Sequence, residues 1–151
     1  GTMAVEIPSD ARLARGRFLG DVSPVRAWRD LQDRTETVLV DVRTCAEWIY
    51  VGGPDLASLG KPVVQVEWLM FPTMENNPHF LDELREQDVR LDQAVYLICR
   101  SGVRSQQAAE LLALHGYTTY NVAGGFEGQV DVNGHRGVGG WRAEGLPWRQ
   151  S

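Results

Sequence analysis

The residues around Cys99 are the ones best suited to chemistry. Cys99 ends an apolar run, and directly after it come Arg100, Ser101, Gly102 and, one residue later, Arg104. Gly102 can adopt backbone angles closed to other residues, which lets successive N–H groups of a loop point at one anion. The two arginines bring positive charge close to the sulfur and favour the thiolate, the nucleophilic form of cysteine. We therefore expect Cys99 to act as a nucleophile.

Other interpretations of this cysteine have less support. His79 opens a predicted helix, His115 ends one and His135 lies in a glycine-rich stretch, so a Cys-His protease is disfavoured. Two distant cysteines and three scattered histidines make no ligand pattern, so we predict no metal and no other cofactor. The remaining alternative is an inert, buried Cys99. Polar residues at this junction are poor for packing and good for holding an anion, which favours the functional interpretation.

Strand and helix patterns alternate along the chain. Apolar, β-branched runs without clean alternation predict strands buried on both faces. The predicted strands cover residues 37–43, 63–66, 94–98 and 119–122. The predicted helices start at Pro24 and cover residues 44–50, 77–87 and 105–115. This order predicts an α/β fold with a central, mostly parallel sheet and helices on both faces.

Three segments that follow strands should meet at the carboxyl edge of this sheet, namely residues 41–47, 99–105 and 123–125. Cys99 would then lie before a helix start, where free N–H groups and the positive end of the helix dipole favour an anion. Thr44, with Glu47 three residues later, forms a capping-box pattern. We therefore expect a second helix to start at the same edge.

Composition sets the class of protein and its partners. A chain of 151 residues, 43% hydrophobic, is long enough for one domain. The formal charge of -5 and the absence of a basic run argue against a nucleic-acid partner. Apolar stretches too short for a bilayer, with two cysteines expected to be reduced, predict a cytoplasmic protein with no membrane partner. We predict an expression-tag remnant at 1–3, an N-terminal extension at 4–21 and the domain at 22–151.

Four sequence pieces, in this order, resemble the rhodanese family over about residues 22–148. They are Leu39-Val40-Asp41-Val42-Arg43 with Glu47-Trp48, then Cys99-Arg100-Ser101-Gly102-Val103-Arg104-Ser105, then Asn121-Val122-Ala123-Gly124-Gly125, and finally Gly145-Leu146-Pro147-Trp148. The resemblance implies a rhodanese-like fold and a single-domain sulfurtransferase of bacterial type.

The same resemblance implies how the protein works. The Cys99 thiolate would attack the outer sulfur of a small anionic donor such as thiosulfate, release sulfite and become a persulfide. Cyanide, a small thiol or a protein thiol would then accept the sulfur. The expected substrate-binding residues are those of the loop, Arg100, Ser101, Gly102, Val103, Arg104 and Ser105. Physically this is nucleophilic catalysis in two displacements, with loop N–H groups stabilising the anionic sulfur.

Three residues of the first motif are expected to support the site. We expect Arg43 to pair with Glu47 and Asp41 to brace the catalytic loop from its strand end; a surface ion pair and a capping charge are the plain alternatives. Cys45 would condense with an oxidised Cys99 if the two thiols were close. The chain also departs from the family where a histidine-containing segment usually follows this motif, at residues 51–55, and it carries an insert at 130–139 that could shape the pocket rim.

Two rival functions stay open on the sequence. Rhodanese-like folds include cell-cycle phosphatases, but four residues separate Cys99 from Arg104, whereas those phosphatases use five. Phosphate needs the wider loop, so we expect negligible phosphatase activity. A carrier module, loaded with sulfur by a partner desulfurase, would need the same persulfide and is not separated from a free-standing enzyme by the sequence.

Overall fold

The computed structural model describes residues 16–128 and 139–150. The predicted tag remnant at 1–3 lies outside the described residues, as do residues 4–15 of the predicted extension and residues 130–138 of the insert. In the described part of the chain, no helix is both long and apolar enough to cross a membrane.

A five-stranded sheet forms the centre of the domain, and all its strand pairs are parallel. The strands are β1 (Phe18–Val22), β2 (Thr37–Asp41), β4 (Val63–Gln65), β7 (Ala94–Ile98) and β8 (Thr118–Val122). They lie in the order β1-β8-β7-β2-β4. Every residue of β2 and β7 is buried, as expected for central strands of a sheet covered on both faces.

Two small antiparallel pairs accompany the main sheet. They join β3 (Gly53–Pro54) with β9 (Trp148–Arg149) and β5 (Leu69–Met70) with β6 (Glu75–Asn76). The helices are α1 (Pro24–Asp33), α2 (Cys45–Tyr50), α3 (Phe80–Glu86) and α4 (Val103–Leu114), and a 3-10 turn covers Ala57–Leu59. Ser23 caps α1, whose first residue is proline, and the predicted capping box of Thr44 and Glu47 starts α2.

Apolar side chains pack on both faces of the main sheet. One cluster joins α3 and α4 to the sheet through Phe80, Leu84, Ala108 and Leu112 with Val40, Val95 and Leu97. The other joins α1 and the C-terminal segment to the opposite face through Ala27, Leu31, Phe126 and Trp141 with Leu39, Tyr96 and Ile98. The predicted α/β fold, with a parallel central sheet and helices on both faces, is confirmed.

The sheet starts earlier in the chain than the sequence suggested. Strand β1 pairs with β8, so the predicted boundary between residues 21 and 22 falls inside a strand. Gly20 and Asp21 weaken the strand pattern, because glycine and aspartate are depleted in strands. Gly20 has φ +100° and the pairing register shifts between Phe18 and Asp21, which marks an irregular edge strand.

Candidate active site

Cys99 lies at the carboxyl end of the buried strand β7, between β2 and β8. Val42 donates its backbone N–H to the carbonyl of Ile98, 2.9 Å away, which holds the end of β2 beside the start of the loop. Cys99 itself is only 1% exposed. The sheet therefore presents this sulfur at the bottom of a closely packed loop.

Two groups hydrogen bond to the Cys99 sulfur. The backbone N–H of Gly102 lies 3.1 Å from Sγ and the Ser105 hydroxyl lies 3.2 Å from it. Gly102 has φ +107° and occupies the N-cap position of α4 without a side-chain cap, so its N–H is free to bind the sulfur. The helix begins at Val103, two residues earlier than predicted, and places Val103, Arg104 and Ser105 in its first turn. The sulfur thus faces a helix N-terminus, where an anion is stabilised.

Asn121 connects the Cys99 loop to the edge of the sheet. Its side-chain N–H groups donate to the carbonyl of Gly102, at 3.1 Å, and to Asp21 of β1, at 3.0 Å. Its Oδ1 accepts from the buried Ser105 hydroxyl. Since a hydroxyl has one proton, Ser105 donates to Asn121 when Cys99 is a thiol and can turn to the sulfur when Cys99 is a thiolate. No role for Asn121 was predicted from the sequence; the available signal was an asparagine, a residue depleted in strands, within β8.

The segment after β8 supports the loop from below. The backbone N–H of Phe126 donates to the carbonyl of Cys99 at 2.7 Å, and that of Glu127 donates to the carbonyl of Arg100 at 2.9 Å. Gly125 has φ +61°, and a Cβ at this position would overlap the backbone of Cys99 and Arg100. A glycine is therefore required here for the close approach of the two backbones.

Asp41 and Arg43 form a completely buried ion pair, with 2.7 Å between Arg43 Nη2 and Asp41 Oδ2. Arg43 also donates to the carbonyl of Gly52 at 2.6 Å, and its guanidinium carbon lies 4.5 Å from the Phe126 ring centroid. The expected pair of Arg43 with Glu47 is wrong. Alternate residues of an extended chain share a face, so Asp41 and Arg43 meet each other. They support Phe126, which in turn holds the Cys99 carbonyl, so Asp41 reaches the loop indirectly.

Glu47 pairs with Arg104. The two side chains form a two-pronged contact, with 2.9 Å from Nη1 to Oε1 and 3.1 Å from Nη2 to Oε2. Burial by itself would raise the pKa of Glu47, but the hydrogen bond and charge of Arg104 lower that pKa below its ordinary value. Burial by itself would lower the pKa of Arg104, but Glu47 and the nearby Cys99 raise it. The pair therefore stays ionised at neutral pH, within reach of the sulfur.

The outer surface of the loop is less cationic than the sequence suggests. Arg100 is 47% exposed and lies 3.6 Å from Glu127. Ser101 is half-buried, and Val103 is 65% exposed, an apolar side chain at the rim. The loop residues named from the sequence are thus brought together, with each arginine beside a carboxylate.

Cys45 occupies a different environment at the same sheet edge. It is exposed as the first residue of α2, and both it and Cys99 are free thiols. Its backbone N–H donates to Glu67 at 2.8 Å, and burial, followed by the Glu67 carboxylate, raises the pKa of the Cys45 thiol. Cys45 lines a cleft of about 540 Å³ with Gln65 of β4. Glu47, two residues on in α2, points instead at Arg104.

Across residues 16–128 and 139–150, no three side chains of the histidine, cysteine, aspartate and glutamate types cluster as metal ligands would.

The parallel sheet with a cysteine loop at its carboxyl edge defines a rhodanese-like α/β domain, and comparison with known proteins agrees. The family described as STR4 middle domain matches residues 19–151. The crystal structure of Rv0390 from M. tuberculosis has a TM-score of 0.81 and 51% sequence identity, covering 89% of this chain and 100% of that one.

Two curated relatives extend the comparison. The uncharacterized protein RP600 of Rickettsia prowazekii is 34% identical over 131 residues, which are 85% of this chain and 96% of RP600. The thiosulfate sulfurtransferase GlpE of Actinobacillus pleuropneumoniae is 29% identical over 128 residues, 84% of this chain and 90% of GlpE. The chain belongs to the rhodanese family, and its domain is of the sulfurtransferase type.

Proposed function

We propose that this protein transfers sulfane sulfur from a donor to a thiophilic acceptor through a persulfide on Cys99. The observation that carries the proposal is the pair of hydrogen bonds from Gly102 N–H and the Ser105 hydroxyl to Sγ, at the start of a helix. These groups stabilise negative charge on sulfur both before and after loading. The similarity to GlpE, a thiosulfate sulfurtransferase, adds support.

The reaction consists of two displacements. The Cys99 thiolate attacks the outer sulfur of thiosulfate, a new S–S bond forms, and sulfite leaves with the electron pair of the broken bond. Cyanide, a small thiol or a protein thiol then attacks the outer sulfur of the persulfide and regenerates the Cys99 thiolate. The Gly102 N–H and the Ser105 hydroxyl stabilise that thiolate as the leaving group. The free thiols of Cys45 and Cys99 fit a reducing cytoplasm.

Intact mass measurement tests the proposal. The protein is treated with thiosulfate or with cysteine persulfide, desalted, weighed, treated with cyanide and weighed again. We expect a gain of one sulfur atom that cyanide removes as thiocyanate, and no gain in a Cys99→Ser variant. The Cys45→Ser variant serves as the matched control and should still gain the sulfur. No gain from either donor in the wild-type protein would overturn the proposal.

A further inference from the structure

Both arginines of the Cys99 loop lie beside a carboxylate. Glu47 receives two hydrogen bonds from Arg104, and its Oε1 also accepts from the backbone N–H and the hydroxyl of Thr44, each at 3.1 Å. The capping box therefore fixes Glu47 in place before any substrate arrives. An anionic donor could hydrogen bond to both arms of the Arg104 guanidinium only by breaking the charge-assisted, two-pronged contact with Glu47. The two side chains of that contact are 17% and 18% exposed.

Three described ion pairs around the loop each join an arginine to a carboxylate. Arg104 faces Glu47 at 2.9 Å, and Arg100 faces Glu127 at 3.6 Å. The buried pair beneath the loop is equally balanced, since Arg43 is matched by Asp41. A doubly charged donor such as thiosulfate would thus find these three arginines already paired with carboxylates, on a chain whose overall formal charge is -5.

The loop also exposes an apolar side chain at its rim. Val103 is 65% exposed in the first turn of α4, and nothing about an exposed valine helps to bind a small dianion. Contact with Val103 suits a donor that brings carbon atoms close to its sulfur, as an organic thiol persulfide does.

We propose, resting on the persulfide function above, that Glu47 is a specificity-determining residue that restrains Arg104 and so selects a thiol persulfide over thiosulfate as the sulfur donor. With a protonated persulfide, the Cys99 thiolate attacks the outer sulfur, the donor S–S bond breaks, and the donor leaves as a thiolate carrying the electron pair. The proton stays on the transferred sulfur. No free cation is needed, because the leaving group carries one negative charge where sulfite carries two.

The test compares the loading rates of two donors. Single-turnover sulfur gain on Cys99 is followed by quenched intact mass, with thiosulfate and with cysteine persulfide, and the ratio of the two rates is recorded. Releasing Arg104 in Glu47→Gln should shift that ratio towards thiosulfate by roughly tenfold, the effect of one charge-assisted hydrogen-bonded contact. Glutamine still completes the capping box, so the helix start is retained.

Two further variants sharpen the comparison. Glu36→Gln removes the same formal charge and breaks a surface ion pair, in which Arg90 Nη2 lies 3.0 Å from Glu36 Oε2. Glu36 lies just before β2, at the opposite edge of the sheet from Cys99. The ratio of the two loading rates in this variant should therefore equal that of the wild type. Glu127→Gln frees Arg100 and should shift the ratio in the same direction but less, because that contact is longer and Arg100 is 47% exposed.

The outcomes separate the two proposals. A wild-type ratio favouring cysteine persulfide, with a shift in Glu47→Gln and none in Glu36→Gln, supports the role of Glu47. An unchanged ratio in a folded Glu47→Gln, or an equal shift in Glu36→Gln, overturns it while leaving the persulfide function intact. No sulfur gain on Cys99 from either donor would overturn the function itself.

Discussion

Cys99 and Cys45 start from similar positions and end in opposite environments. Each follows a buried parallel strand at the carboxyl edge of the sheet, Cys99 in the loop before α4 and Cys45 as the first residue of α2. Cys99 is buried and its sulfur meets the N–H of Gly102 and the hydroxyl of Ser105, whereas Cys45 is exposed beside the Glu67 carboxylate. Position at a strand end therefore does not by itself fix the environment of a cysteine. The hydrogen-bond donors aimed at Sγ distinguish Cys99 from Cys45.

The largest effect should come from removing the space that the Cys99 loop needs. In Gly125→Ala the new Cβ would overlap the backbone of Cys99 and Arg100. We expect sulfur loading to fall more than about 100-fold and the free energy of unfolding to drop by roughly 3 kcal/mol, the scale of a strained, overpacked site. Loading is measured by intact mass and stability by urea denaturation.

Gly60→Ala is the matched control for that substitution. Gly60 has φ +70°, close to the φ +61° of Gly125, but no atom lies within 4 Å of a Cβ built there. It should lose only about 1 kcal/mol of stability, from left-handed backbone strain, and keep normal loading. Equal losses of loading in both variants would mean that backbone strain, and not the shape of the Cys99 loop, governs activity.

The next effect concerns the side chain that ties the loop to the sheet. Asn121→Ala removes the donor to Gly102 and the acceptor for Ser105, so the loop carbonyl and the hydroxyl both lose a partner. We expect about 2 kcal/mol of destabilisation and a drop in loading of about 30-fold. Asn77, also a buried asparagine, donates to the Glu67 carbonyl and to Glu83. Asn77→Ala should destabilise similarly without a comparable drop in loading.

A smaller effect tests one hydrogen bond to the sulfur. Ser105→Ala leaves Gly102 N–H as the remaining described donor to Sγ. We expect sulfur loading to slow by roughly tenfold, at the low end of the effect of removing one donor to a developing charge. The measurement is the single-turnover loading rate with the same donor, compared with that of the wild type under the same conditions. A Ser105→Ala protein that loads at the wild-type rate would show that the hydroxyl does not assist the sulfur.

The smallest effect should appear at Cys45. Because burial and the Glu67 carboxylate raise the pKa of the Cys45 thiol, its thiolate fraction at pH 8 is lower than that of an ordinary cysteine. Glu67→Gln should lower that pKa and speed iodoacetamide alkylation about threefold at pH 8. The comparison is made in a Cys99→Ser background, where Cys45 is the remaining cysteine of the chain. Slower alkylation in Glu67→Gln would contradict the conclusion that the Glu67 carboxylate raises the pKa of Cys45.

The sequence predicted more of the fold than of the detailed contacts in the site. The apolar runs of β2 and β7 are long enough to identify buried parallel strands, and the polar loop after β7 identified Cys99 as the candidate nucleophile. Strand β1 was missed because Gly20 and Asp21 interrupt its pattern and its pairing comes from β8, about a hundred residues later.

The choice of ion-pair partners could not be predicted from the sequence. Arg43, Arg104 and Glu47 all lie near one sheet edge, and their pairing depends on which face of α2 meets the first turn of α4. That orientation is set by tertiary packing, which spacing along the chain does not encode. Asn121 lies within one of the motifs, but its role could not be predicted because its partner Gly102 comes close only in the folded sheet.

Locating the transferred sulfur in the wild-type protein tests the central claim most directly. The protein is loaded with donor, its thiols and persulfides are alkylated, and the digested peptides containing Cys99 and Cys45 are identified by tandem mass spectrometry. We expect the additional sulfur on Cys99 and an ordinary alkylated thiol at Cys45. A persulfide found on Cys45, with Cys99 unmodified, would contradict the account, because the sulfur would then lie on the thiol beside the carboxylate instead of the one at the helix N-terminus.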